Sequence, residues 1–273
     1  MVGGSYFQTN FMSRPSLFFI FLLFIACKEN NHEINNHPVN FSELPLLLVT
    51  IKAIPLPDSY ERIILTKNSF GEWLRTIRLK KDKHVYLYDG SLKKNQAAQF
   101  AVLDILVGKK DLQQCADAVM RLRADYLFEQ KRFVDIVFRD NNGKPYAWKG
   151  GNNKMGFDIY LENVFSCCGS ASPDSYRVEK QLKPVISLHE IKPGDVFIKG
   201  GFPGHAMIVI DVAVNNKGSK IFMLAQSYMP AQDIHIVRNP MNEKISPWYD
   251  VSEADKIITP EWIFKKEQLR SWQ

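Results

Sequence analysis

Hydrophobic residues recur at helical spacing in three segments that precede residue 170. A short amphipathic helix is predicted after Ser69, which forms a capping-box pattern with Glu72. A second helix is predicted over residues 112–130, with Asp111 as its N-cap. A third is predicted over residues 157–168, where apolar side chains share one helix face.

From residue 195 onward, the pattern changes to apolar runs of the length and composition typical of β-strands. An Asn-Asn-Lys-Gly segment at 215–218 predicts a hairpin turn. Helices followed by antiparallel strands predict an α+β fold, with residues 45–273 as a single globular domain. The predicted strands cover residues 85–88, 100–107, 195–198, 205–214, 220–228 and 234–238.

The N-terminal segment has the features of a secretion signal. Arg14 precedes an apolar run that ends at Ala26-Cys27 and is too short to span a membrane. Ala26-Cys27 resembles a bacterial lipobox, which implies that residues 1–26 are a signal peptide and that Cys27 is lipidated. Simple secretion is the alternative. Residues 27–44 are polar and predict a flexible tether.

Lys28 follows the predicted lipidation site, and this residue resembles signals for outer-membrane rather than inner-membrane retention. We therefore expect a lipoprotein of the cell envelope, held at the outer membrane by its lipid. The formal net charge of +6 is spread over 273 residues without a dense basic block, so nucleic-acid binding is not expected.

The remaining cysteines give no support for a metal site or another cofactor. Three cysteines remain, an odd number: Cys115, Cys167 and Cys168. The sequence contains neither a Cys-x-x-Cys nor a His-x-x-x-His pattern, the spacings typical of metal ligands. Cys167 and Cys168 end a predicted apolar helix face, and no role is assigned to them.

His205 is the first residue of a strongly apolar predicted strand and directly follows Gly204. The imidazole side chain has an unperturbed pKa near neutrality, so a histidine at a strand end is a candidate general base. The alternative is a histidine that only begins a strand. His84, which precedes another predicted strand, is a second candidate, whereas His235 alternates with isoleucines and is expected to face solvent.

Cys115 lies in the first turn of the predicted second helix. The helix dipole and the unpaired amides of a helix N-terminus lower the pKa of a thiol, which favours the nucleophilic thiolate. Gln113 and Gln114 precede it and are candidates for substrate or oxyanion contacts. Cys115 also belongs to an apolar stripe, so a buried core cysteine is the competing interpretation.

The predicted hairpin places residues 226–228 opposite the neighbourhood of His205. Gln226 is therefore the candidate that orients the imidazole, with Ser227 as the second choice. Ser227 is also, like Gln113 and Gln114, a candidate for substrate or oxyanion contacts. Asp195 and Asp211 form a weaker candidate acid–base pair, since the first fits a turn and the second a strand face.

Residues 108–230 combine a cysteine at a helix start, a Pro-Gly-Asp turn, a Gly-His strand start and a polar residue on the next strand. This order resembles the papain-like cysteine amidases, in particular the CHAP and NlpC-type cell-wall hydrolases. The resemblance implies a papain-like layout and cleavage of a peptide or amide bond in cell-wall material derived from peptidoglycan. It implies Cys115 as nucleophile, His205 as base and Gln226 as orienting group. Gln114-Cys115-Ala116 departs from the Asp-Cys-Ser typical of NlpC-type enzymes.

The stretches at 111–123 and 224–232 also resemble an uncharacterised bacterial lipoprotein family, domain of unknown function 4846. That resemblance implies no activity. Two functions therefore remain open: a thiol hydrolase, and a non-catalytic surface lipoprotein that binds a glycan or a partner protein through aromatic-bearing loops.

Overall fold

The computed structural model describes residues 49–140, 142–169, 178–251 and 255–273, without the side chains of residues 167–169. The predicted signal peptide, Cys27 and the tether lie outside the described residues, as do the side chains of Cys167 and Cys168. All described residues belong to one compact unit, Val39–Gln273. Within the described ranges, no helix is long and apolar enough to cross a membrane.

The fold combines α-helices with a large antiparallel sheet. Helix α1 spans Phe70–Thr76, α2 spans Cys115–Glu129 and α3 spans Lys154–Gly169. The predicted start of α1 is confirmed, because the Ser69 hydroxyl accepts a hydrogen bond from the Glu72 amide at 3.3 Å.

Helix α2 begins three residues later than predicted, at Cys115 rather than at residue 112. The Asp111 carboxylate does not cap the helix. It accepts hydrogen bonds from the backbone N–H of Ala231 at 2.7 Å and from the side chain of Gln114 at 3.1 Å. The Asp117 carboxylate instead accepts from the Gln114 backbone N–H at 3.2 Å. Cys115 is therefore the first helical residue, where backbone amides lack carbonyl partners within the helix.

The described strands are β1 Tyr60–Arg62, β2 Gln99–Val102, β3 Val137–Arg139, β4 Pro145–Ala147, β5 Leu182–Pro184, β6 Val196–Lys199, β7 His205–Asn215, β8 Lys220–Gln226, β9 His235–Val237, β10 Trp248–Asp250, β11 Lys256–Ile258, β12 Ile263–Lys265 and β13 Leu269–Trp272. Nine of these strands form the main sheet, and all of its pairs are antiparallel. Seven of the nine follow the order β2-β9-β8-β7-β6-β13-β5, while β1 pairs with β7 and β10 pairs with β8. Two smaller sheets pair β3 with β4 and β11 with β12.

The predicted β7–β8 hairpin is confirmed, with Ile208 opposite Ala225 and a turn in which Gly218 has a φ of 81°. Strands β1 and β2 join the same sheet, so the expected separation of early helices from late strands is wrong. The strand predicted over 100–107 ends early. The amides of Leu103 and Asp104 bond to carbonyls of two different segments, which ends a regular ladder.

Both faces of the sheet are covered by apolar side chains. One cluster contains residues of the three helices and of β7 such as Ala206 and Ile208. A second cluster contains the alternate residues Met207 and Val209, with Phe264 of β12. The central strands are therefore buried on both sides, and polar residues on them need partners within the protein.

Asp211 supplies one such internal link. Its carboxylate is fully buried and lies 2.7 Å from the Nε of Arg62 and 2.6 Å from the Nε of Arg75. These guanidinium groups also bond to the carbonyls of Ile54 and Ile63. Asp211 thus joins β7 to β1 and α1 through charge-assisted hydrogen bonds and is committed to a structural role.

Asp211→Ala is expected to lower the free energy of unfolding by about 3–5 kcal/mol, because it leaves two largely buried guanidinium groups without their carboxylate. Urea denaturation of the two proteins measures the difference. Asp250→Ala, at an exposed position of β10, is the matched control and should change stability little. A loss for Asp211→Ala no larger than that of the control would contradict this role.

Candidate functional site

Three polar side chains lie together at the ends of neighbouring strands. His205 begins β7, Gln226 ends β8 and His235 begins β9. Gln226 pairs directly with His235, and the β7–β8 register makes His205 its diagonal neighbour on the same face. The His205 Nε2 lies 2.7 Å from the Gln226 Oε1. The structure thus brings together two of the residues selected from the sequence.

A buried ion pair continues this contact. The Gln226 Nε2 donates to the Glu261 Oε2 at 2.8 Å, and the Lys93 ammonium lies 2.7 Å from the same oxygen. Asn95 donates to the other carboxylate oxygen at 3.2 Å. The exposed fractions of the Lys93 and Glu261 side chains are only 7% and 15%. Sequence reasoning missed both residues, because they belong to distant loops and carry no motif.

His235 is completely buried, so the expectation that it faces solvent is wrong. Its Nε2 lies 3.2 Å from the Gln226 Nε2, and its Nδ1 lies 2.8 Å from the Asp233 carbonyl oxygen. His235 alternates with two isoleucines, and such alternation identifies a solvent-facing side only when one face of the sheet is open. Both faces of this sheet are covered, so the alternation does not predict exposure here.

Burial lowers the pKa of His205 to about 4, although the hydrogen bond to Gln226 opposes the shift. Burial, followed by the positive charge of Lys93, lowers the pKa of His235 to about 3. Both imidazoles are therefore neutral at pH 7, the state in which a histidine can accept a proton.

Aromatic rings surround the His205 imidazole. The ring centroids of Tyr228, Trp262 and Phe264 lie 4.7, 5.2 and 5.9 Å from that of His205. The Lys199 ammonium lies 5.9 Å from the Trp262 ring, a cation–π distance. These ring contacts contribute to the burial of the imidazole, since His205 is 2% exposed.

Cys115 is a buried thiol, 8% exposed, and is one of the buried core residues, although it belongs to neither of the two apolar clusters described above. Tyr228 lies near both Cys115 and the histidine. Burial raises the pKa of the Tyr228 phenol, and electrostatic interactions with Glu261 and Cys115 raise it further. Because Tyr228 also contacts the His205 ring, the thiol and the imidazole lie at the same end of the sheet.

Ser227 holds the segment before Cys115 against the end of β8. Its hydroxyl is buried, 2.8 Å from the Gln113 carbonyl oxygen and 2.9 Å from that of Gln232. Helix α2 packs on the face of the sheet opposite to the one that carries His205 and Gln226. The segment before α2, rather than the helix face, is therefore the part that contacts the strand end beside Gln226, through the bond between Ser227 and the Gln113 carbonyl.

The two glutamines before Cys115 have different surroundings. The Gln113 side chain is buried, and its Nε2 has no hydrogen-bond partner among the described residues. Gln114 is half-buried and donates to Asp111, while its backbone N–H is bound by Asp117. Their predicted contact with substrate or an oxyanion remains a prediction.

The other sequence candidates have separate environments. His84 is exposed and lies 2.6 Å from Asp82. Asp195 is buried, accepts a hydrogen bond from the Lys192 amide, and has a pKa raised to about 6 by burial. Over the described ranges, no group of three His, Cys, Asp or Glu side chains has an arrangement that could hold a metal ion.

These observations define an α+β domain with a buried His–Gln–Glu–Lys chain at the end of its central strands. The family model for domain of unknown function 4846 matches residues 51–153 and 146–271, and the chain belongs to this family. No curated protein and no solved structure matched the chain in the comparisons made.

The lowered pKa values of His205 and His235 make the stability of the folded protein depend on pH. In the unfolded chain both imidazoles bind a proton near pH 6.5, whereas in the folded protein they do so only near pH 4 and pH 3. The unfolded state therefore binds more protons as the pH falls below 6.5, and the stability from these groups declines toward pH 4. NMR titration of the two imidazoles should find them neutral at pH 5.5. Titration midpoints near pH 6.5 for these imidazoles in the folded protein would contradict this prediction.

Proposed function

We propose that this protein is a cysteine hydrolase of peptidase or amidase type, with Cys115 as nucleophile, His205 as general base and Gln226 as orienting residue. The observation that carries the proposal is the 2.7 Å contact between the His205 Nε2 and the Gln226 Oε1. This contact lies at the sheet end against which the start of α2, with Cys115 as its first residue, is held. A papain-like layout is part of the proposal.

In the proposed reaction, the neutral His205 takes the thiol proton on its Nδ1, since its Nε2 is engaged by Gln226. The Cys115 thiolate attacks the substrate carbonyl carbon and forms a tetrahedral adduct. The imidazolium then donates its proton to the leaving amine, and a thioester remains. Water activated by His205 hydrolyses the thioester, which releases the acid and restores the thiol.

The surroundings of both groups support this chemistry. The start of α2 provides a positive dipole end that favours a thiolate on Cys115. The Glu261 carboxylate, two hydrogen bonds from His205 through Gln226, favours the imidazolium that forms during the reaction. Amides of the segment that contains Gln113 and Gln114 are the candidate oxyanion donors.

The proposed substrate is a peptide or amide bond in peptidoglycan-derived material. The rings of Tyr228 and Trp262 beside His205 offer an apolar surface for a substrate chain. Lipidation at Cys27 would keep the domain in the cell envelope, at the outer membrane, near such material. No cofactor takes part in the proposed reaction.

The second candidate is a non-catalytic surface lipoprotein that binds a glycan or a partner protein. The low exposure of the central groups favours it, since His205 is 2% and Cys115 8% exposed. In this alternative, the His205–Gln226 contact would serve only the packing of the strand ends. Reactivity of the thiol distinguishes the two candidates.

Iodoacetamide at pH 7 is expected to alkylate Cys115 faster than a buried thiol of ordinary pKa, because a neighbouring base removes its proton. Mass spectrometry of the labelled peptide measures the rate at this position. His205→Ala should slow labelling by about a hundredfold if the imidazole is the base. His84→Ala, which removes an exposed histidine, is the matched control and should leave the rate unchanged.

The same variants test turnover on peptidoglycan-derived peptides, with the release of new amino groups as readout. Cys115→Ala should abolish release and leave the circular dichroism spectrum unchanged. If wild-type Cys115 never labels, or labels equally fast in His205→Ala, the hydrolase proposal fails and the binding alternative is favoured.

Cys27→Ser is expected to move the protein from the membrane fraction to the soluble periplasmic or secreted fraction, because the acceptor of the lipid is lost. Fractionation of expressing bacterial cells, with immunoblotting, measures the distribution. Lys28→Ser should leave the protein in membranes. Equal distribution of wild type and Cys27→Ser would exclude the lipid anchor without affecting the thiol chemistry.

A further inference from the structure

We infer that Glu261 is a positioning residue that, with Lys93 and His235, fixes the orientation of the Gln226 amide and thereby the tautomer of His205. This inference deepens the proposed function and rests on it for its catalytic meaning. The structural part, a locked imidazole tautomer, can be measured independently of any activity.

The argument starts from the groups whose hydrogen-bonding direction is fixed. An ionised carboxylate only accepts hydrogen bonds, and an ammonium only donates them. Lys93 and Glu261 form a largely buried ion pair at 2.7 Å. The Gln226 atom that lies 2.8 Å from Glu261 must therefore be the amide nitrogen. A reversed amide would bring its oxygen against a carboxylate.

His235 enforces the same orientation from a second direction. The Asp233 carbonyl can only accept, so the His235 Nδ1 at 2.8 Å must carry the proton. The Nε2 of a neutral His235 then has a lone pair, which accepts from the Gln226 Nε2 at 3.2 Å. Both hydrogens of the Gln226 amide are thus used, one by Glu261 and one by His235.

The tautomer of His205 follows from this orientation. The Gln226 Oε1 faces the His205 Nε2 at 2.7 Å and can only accept, so the Nε2 must carry the proton. The lone pair of the neutral ring is then on Nδ1, the atom to which the proposed reaction assigns the thiol proton. If the amide reversed, Nε2 would face a donor, and the proton would move to Nδ1 and block the base.

Glu261→Gln tests whether the His205 tautomer is fixed, because it keeps the size of the side chain and removes the carboxylate, which can only accept hydrogen bonds. In the full chain labelled with ¹⁵N-histidine, long-range ¹H–¹⁵N spectra distinguish protonated from unprotonated ring nitrogens. Wild-type His205, assigned by its loss in His205→Gln, should show a protonated Nε2 and an unprotonated Nδ1. Glu261→Gln should move the two ¹⁵N shifts toward each other, as two tautomers are populated.

Two further variants keep the test interpretable. Lys93→Met removes the ammonium that pairs with the Glu261 carboxylate and should shift the His205 signals in the same direction. Glu243→Gln, at an exposed position, is the matched control and should reproduce the wild-type spectrum. Thermal unfolding of each variant reports whether the fold persists at the temperature of the spectra.

The rate at which iodoacetamide labels Cys115 is the functional readout. In Glu261→Gln we expect this rate to fall about ten- to a hundredfold, the size of effect seen when residues that orient a metal ligand are removed. Unchanged His205 shifts in folded Glu261→Gln and folded Lys93→Met would overturn the inference. Changed His205 shifts with unchanged Cys115 labelling would support the inference about the tautomer and overturn the proposed function instead.

Discussion

The hydrogen bonds of one buried side-chain amide organise the candidate site. Gln226 has two donors and one acceptor oxygen, and His205, Glu261 and His235 take them within 2.7 to 3.2 Å. In a buried position an unsatisfied amide group costs more than the hydrogen bond would have contributed, so the partners must be present together. This requirement links strands β7, β8 and β9 to the loops that carry Lys93 and Glu261, and it makes the orientation of the imidazole a consequence of folding.

A second constraint acts on the start of α2. Asp111 accepts a hydrogen bond from the Ala231 amide, and the Ser227 hydroxyl donates to the Gln113 carbonyl, so the segment before the helix is attached at two points to the segment that follows β8. The N-terminus of the helix is thereby directed to the same end of the sheet as His205. A thiol there experiences the helix dipole, whereas the same cysteine in mid-helix would be an ordinary apolar side chain.

Burial gives the site its electrostatic character. Covering both faces of the sheet removes water from His205 and His235 and keeps both rings neutral at pH 7. The same environment strengthens the influence of the Glu261 carboxylate on any positive charge that forms at His205. Lys93 supplies the counter-charge to this largely buried carboxylate at 2.7 Å.

The sequence by itself determined the α+β class, the Ser69 helix start and the β7–β8 hairpin, because local spacing and turn chemistry decide these features. The same register also predicted that Gln226 would lie near His205. Only the tertiary structure decided the partners Glu261 and Lys93, the burial of His235 and the start of α2 at Cys115. These depend on contacts between residues up to 168 positions apart and on a second layer over the sheet, and neither leaves a periodic signal along the chain.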